Sequence, residues 1–255
     1  MPPWLSHPAF VSYARWLRLG DDAAPPSLAE MSSWIEAAAL RLPDGRRLGV
    51  IEATRKASAL DYERTIARDA LIPVRPGSWH DAFNVLAWLA MPRSKAALNS
   101  RHVADGAVST PNSRSRLRDA ATLLDESGLL LACDSPELIE LLRGHRWKPL
   151  FVERAPLVNK HFAALVIGHG VLDKLRRPYR SLTAKALVLA MPSGTLPGPH
   201  DLEEWDRCAA KLVSAPEFGV DALVPLPVAA LPGWDGEGLG GALFDDTSVF
   251  RPGSR

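Results

Sequence analysis

Between residues 78 and 126 the chain places His80, Asp81, Asn84, Lys95, Asn99, His102, Arg118, Asp119, Asp125 and Glu126 on three consecutive stretches that otherwise read as helix. Imidazoles and carboxylates exchange protons or ligate a metal, Lys and Arg bind anions, and Asn orients a substrate by hydrogen bonding. Helical spacing sorts most of them into stripes: His80 with Asn84, then Lys95 with Asn99 and His102, then Arg118 with Thr122 and Asp125. A polar stripe is also what an ordinary solvated face looks like, so each group carries a structural reading beside the chemical one.

Ser78 and Asp81 fit a capping box, and reciprocal capping explains Asp81 as well as chemistry does. It does not explain His80. In the first turn that ring meets the positive end of the helix dipole, which favours the neutral imidazole, a base or a metal ligand, although a carbonyl partner would also hold it. Lys95 follows Pro92 into the first turn of the second stretch, where a cation is mildly unfavourable and a bound anion would reverse the sign. Arg114, Arg116 and Arg118 crowd the start of the third, with Asp125 and Glu126 in its last turn, again opposite to the dipole's preference. The chemical reading makes Arg118 an anion clamp and Asp125 or Glu126 an acid, base or metal carboxylate. The structural reading is an ion-pair network joining Lys95 or Arg118 to Asp81 or Asp125. His169 lies between Gly168 and Gly170, which marks either a ring brought close to a cleft or tight backbone packing.

The elements that must position these groups are mainly helices. Periodicity predicts helix over residues 8 to 19 and 27 to 40, the second opened by a Ser27/Glu30 capping box; residues 51 to 71 are ambiguous. GLLLACD (128 to 134) and KALVLAMP (185 to 192) read as buried strands, SPELIELLRG as a helix with Ser135 at its cap and Pro136 in its first turn, and residues 200 to 214 as an amphipathic helix. The run from 221 to 234 is Pro-punctuated. The expected class is α+β, mainly helical with a small sheet of few buried strands; a layered α/β arrangement is the alternative. One domain over 1 to 255 is expected, with the N-terminal helices docked on it and the tail from 235 looser.

Thirty basic against 29 acidic residues give a net charge of +1, so no global field attracts nucleic acid or anionic lipid. Cys133 and Cys208 form no metal-spaced ladder, which points to a reducing compartment. The N-terminus shows neither a basic leader nor a signal-length apolar stretch, and the expectation is a cytoplasmic protein. The apolar runs fall short of the roughly 20 residues that span a bilayer. Walker, GxSxG and HExxH motifs are absent. The eight Trp residues are read as core first.

The stretches SWHDAFNVLAWLAMPRSKAALNSRHV, LRDAATLLDESG, RWKPLFVER, GHGVLDKL, LTAKALVL and PLPVAALPGW together resemble a bacterial family known as domain of unknown function 3025, over residues 60 to 234. The WHDxFN…PRxKxxLNxxH core carries most of the likeness. The resemblance adds Trp147, Glu153, His169 and Lys185 to the positions of interest and supplies no mechanism. Ala230 departs from a Gly expected in the Pro-rich closing motif.

Three functions fit. The first is an enzyme acting on a small anionic substrate, phosphoryl or carboxylate, with His80, His102, Asp125 and Glu126 in acid–base roles and Asn84, Lys95, Asn99, Arg118, Asp119 and His169 binding the ligand. The second is a divalent-metal-dependent hydrolase with His80, Asp81 and His102 as candidate ligands. The third is a non-catalytic binding or scaffold protein. The cofactor is accordingly none or a divalent metal, and the expected partner a small anionic ligand rather than nucleic acid or membrane.

Overall fold

A computed structural model describes residues 2–17, 24–53, 58–108, 116–234 and 240–253, although the side chains of 105–108, 116–117 and 240 fall outside that description, as does Arg114. Pro8–Tyr13 forms a 3-10 turn rather than the expected α-helix. Three residues per turn eclipse positions i and i+3, which sets Phe10 and Tyr13 on one side, both fully buried. Helix α1 (Leu28–Ala38) opens on the expected Ser27/Glu30 capping box.

The ambiguous stretch resolves into strand β1 (Gly49–Glu52), helix α2 (Ala59–Asp69) and strand β2 (Leu71–Val74). β1 and β2 pair in parallel as a sheet of their own. Ser58 caps α2 by accepting from the Asp61 N–H, a start signal of the same kind as Ser27. Helices α3 (Trp79–Ala90), α4 (Pro92–Val108) and α5 (Arg116–Ser127) follow as expected. α3 is buried almost all round from Ala82 to Ala90, so it runs through the core.

Strand β3 (Gly128–Cys133) leaves α5 directly and is buried along its whole length. Then come α6 (Pro136–Arg143), α7 (Ala155–His161), β4 (Phe162–Val166), α8 (His169–Leu175), β5 (Thr183–Ala190), α9 (Leu202–Ser214) and β6 (Leu223–Pro227). Pro136 opens α6 as expected, but Ser135 makes no side-chain capping bond. The second sheet has the order β4-β3-β5-β6, with β3 and β5 parallel at its centre and antiparallel strands outside. β6 holds two prolines that the sheet accepts because the strand is at an edge, where a missing N–H can face away from the ladder. With 54% helix, 15% strand and this mixed sheet, the class is α+β.

Ala230 ends a short 3-10 turn at negative φ, a conformation that needs no glycine. In the tail, Phe250 is buried against Trp147 and Phe244, and Trp147 donates to the Arg251 carbonyl. Among the described residues no helix is long and apolar enough to cross a membrane.

Candidate functional site

The three polar stripes converge. α2, α3, α4, α5 and α8 surround a cavity of about 390 Å³ whose lining includes His80, Asn84, His102, Arg118, Thr122, Asp125, Glu126 and His169. Local rules explain how the sequence aims them there. Ser78 starts α3 so that His80 falls in the first turn and Asn84 one turn further on the same side. α5 presents Arg118, Thr122 and Asp125 at successive turns. His169 opens α8, and its flanking glycines set how close that helix comes to the end of α5. A Cβ on Gly168 would lie 2.2 Å from the Gly128 nitrogen, and one on Gly170 would lie 2.8 Å from the Glu126 carbonyl oxygen. Close packing and a ring directed at the cleft are therefore one feature.

On the wall, Glu126 sits between two imidazoles. Its Oε1 is 3.4 Å from His169 Nε2 and 3.9 Å from His80 Nε2, and the two rings meet edge-on with centroids 4.4 Å apart. His169 is buried and its Nδ1 has no hydrogen-bond partner; the nearest acid oxygen is Asp125 Oδ2 at 3.8 Å. Burial, then the neighbouring His169, pushes the His80 imidazole down, which keeps it neutral near pH 7. His169 beside it holds the Glu126 carboxyl below the usual range.

The floor beneath is different. Lys95 donates to Asp125 Oδ1 in a pair almost fully removed from solvent. Asp125 is thus the anion that reverses the unfavourable position of Lys95. Burial pushes the Asp125 carboxyl up, but Lys95, His169 and His102 together outweigh it and hold it ionised. Asn99 donates from its side-chain amide to the Glu63 carboxylate at 2.6 Å and to the Glu63 carbonyl at 2.9 Å. Burial and then the Asp125 charge push the Glu63 carboxyl up to about 7. Asn84 donates to the Tyr62 hydroxyl at 2.6 Å, and burial raises the Tyr62 phenol.

Several sequence expectations find other places. Asp81 does not complete a reciprocal box: Ser78 accepts from its N–H, but the carboxylate takes Arg75's guanidinium at 2.6 and 2.8 Å and its backbone N–H at 2.7 Å. Both oxygens are taken by Arg75, so Asp81 stands in an ion pair of its own, beside the group formed by His80, Glu126 and His169. Lys95 and Asn99 lie under the cavity rather than on its wall. Asp119 stands half-buried in the first turn of α5, away from the lining. Trp147 belongs to the aromatic cluster under the tail, Glu153 pairs with Arg154 at the surface, and Lys185 lies within β5. Trp79 and Trp88 are core.

Sequence reasoning missed Tyr62, Glu63 and Arg75. The Ser58-x-x-Asp61 pattern was the available signal, since a helix starting there carries Tyr62, Glu63 and Ile66 on one side. Asp206 was missed too. From α9 it accepts from the Arg93 and Ser94 backbone N–H groups at 2.9 and 2.7 Å, capping α4 from another element. No local pattern announces a cap more than a hundred residues away.

Among described His, Cys, Asp and Glu residues, His80, Glu126 and His169 form one group whose ligand atoms all lie within 4.8 Å of one another. Two imidazoles and a carboxylate can pass a proton among themselves or hold a metal ion. Neither the curated proteins nor the solved structures contain a significant match to this chain. A family model described as Protein of unknown function (DUF3025) matches residues 50–254, and the chain belongs to that family.

Proposed function

We propose that the protein is an enzyme acting on a small anionic substrate held in the cavity between α3, α5 and α8. The reading is carried by the difference between Glu126 and the other acids around it. Asp81 and Asp125 are matched to Arg75 and Lys95 in direct pairs, as structural charges are, whereas Glu126 faces two imidazoles, His169 at a long 3.4 Å and His80 at 3.9 Å, and keeps 46% of its side chain exposed. A group used only to hold helices together would be drawn into contact. His80, Glu126 and His169 are the reactive groups, and Arg118 and Asn84 on the same wall contact the ligand. Asp125 and Lys95 act from below as fixed charges.

The test uses a thermal-shift series with inorganic phosphate, pyrophosphate and short dicarboxylates, followed by turnover of p-nitrophenyl phosphate and p-nitrophenyl acetate. One class of anion raises Tm, turnover is lost in His80→Ala and His169→Ala, and Arg118→Ala removes the anion's effect. Equal anion response and equal rates in the wild type and a His80→Ala/His169→Ala double variant would contradict the proposal.

A further inference from the structure

We infer that His80, Glu126 and His169 are the protein ligands of one divalent transition-metal ion, bound at the cavity wall with its remaining coordination positions facing the cavity. The inference rests on reading that cavity as the active site, and it names what the three groups hold there.

Spacing is the first argument. An ion bound at about 2.0 to 2.2 Å by imidazole nitrogen and carboxylate oxygen requires its donors to stand roughly 3 to 3.5 Å apart. Glu126 Oε1 already lies 3.4 Å from His169 Nε2 and 3.9 Å from His80 Nε2. The ligand atoms of all three groups lie within 4.8 Å of one another, so closing on one ion is a matter of side-chain adjustment and leaves the helices in place. As hydrogen bonds the same distances are poor, and the group makes better sense around a shared centre than around its own protons.

The donor set is the second. Two imidazoles and one carboxylate suit Zn, Fe or Mn, and three protein ligands leave positions open for water or substrate. The support behind the ligands is the third. His169 has its Nε2 toward Glu126 and its buried, unpartnered Nδ1 toward Asp125 Oδ2 at 3.8 Å. A carboxylate behind a ligating imidazole fixes the tautomer with the proton on the far nitrogen and the lone pair toward the metal. Lys95 in turn neutralises and anchors Asp125. The orphan nitrogen and the buried ion pair then belong to one arrangement.

The scaffold is the fourth. All three ligands sit at helix ends, His80 in the first turn of α3, Glu126 in the last turn of α5 and His169 at the start of α8, and the Gly168 and Gly170 contacts lock α8 onto α5. Charge also agrees with the proposed substrate: a doubly charged cation on one carboxylate leaves the wall net positive beside Arg118, which suits an anion.

The test uses the full chain, stripped with EDTA and dialysed separately against micromolar Zn²⁺ and Mn²⁺, with bound metal measured by mass spectrometry. The wild type retains about one ion per chain, and Co²⁺ in the same site gives visible absorption bands. Glu126→Gln and His169→Ala each lower retention at least about tenfold. Asp125→Asn keeps the stoichiometry but weakens binding by about 10- to 100-fold, the usual effect of removing an outer carboxylate. Thr122→Val, on the same wall, binds as the wild type does. Circular dichroism confirms that each variant is folded, and Glu126, half-exposed, provides the variant least exposed to misfolding. Retention below about 0.1 ion per wild-type chain for both metals, or undiminished binding in a His80→Ala/Glu126→Gln/His169→Ala variant, overturns the inference. If the wild type binds no ion while Glu126→Gln still abolishes turnover, the metal falls and the enzyme reading stands.

Discussion

The wall and the floor of the cavity share the last turn of α5, yet they differ in how charge is satisfied. Asp125 and Glu126 are adjacent in sequence. One turns down to Lys95 and is buried; the other turns toward the cavity between His80 and His169 and stays half-exposed. A buried charge without a direct partner costs several kcal/mol, so the floor must be paired within the chain. On the wall, solvent access lowers that penalty and leaves the groups able to take a ligand.

The largest effect belongs to the floor. Lys95→Met leaves Asp125 buried and unpaired and is expected to lower the unfolding free energy by about 3 to 5 kcal/mol, measured by denaturant titration. Adding Asp125→Leu should recover more than half, because an apolar pair removes both charges from the interior; no recovery would mean that shape rather than charge is at stake.

Glu63 makes the second prediction, through pH. Its folded-state value is raised, so the folded chain binds that proton more tightly than the unfolded chain does. The stability this contributes is present in full below the ordinary value of 4.5 and is lost as pH rises through about 7. Wild-type stability should decline over that window by as much as roughly 3 kcal/mol more than that of Glu63→Gln. Parallel pH profiles for the two proteins would remove Glu63 from the buried network.

Third, Gly168→Ala drives a Cβ into the backbone at Gly128 and should cost about 1 to 3 kcal/mol while displacing His169. Turnover should therefore fall even in the fraction that stays folded. The smallest effect on stability belongs to the wall: His80→Ala should change the unfolding free energy by less than about 1 kcal/mol, since its side chain is one-third exposed and makes no short hydrogen bond.

Much of this contrast was legible in the sequence. The three stripes, the helix starts at Ser27 and Ser78, and β3 and β5 follow from capping and from short apolar runs, because those signals are local. The direction of Asp125 and Glu126 was not legible: neighbours in a last helical turn point about 100° apart, and only the packing of α4 and α8 decides which meets a lysine and which meets histidines. Glu63 escaped notice because the pattern around it mixes two strands with a helix. β6 escaped because its two prolines argue against a strand until its edge position is known. Lys95 was a correct anomaly with a different resolution, since the anion it answers to comes from the chain itself.

The central claim is that Glu126 and His80 serve a ligand rather than the fold. Its most direct test is equilibrium unfolding of a His80→Ala/Glu126→Gln variant beside Lys95→Met, with turnover measured on both folded proteins. The first is expected to stay within about 1 kcal/mol of the wild type and to be inactive. A loss of stability as large as that of Lys95→Met, about 3 to 5 kcal/mol, would show that the wall is a second structural network and contradict it.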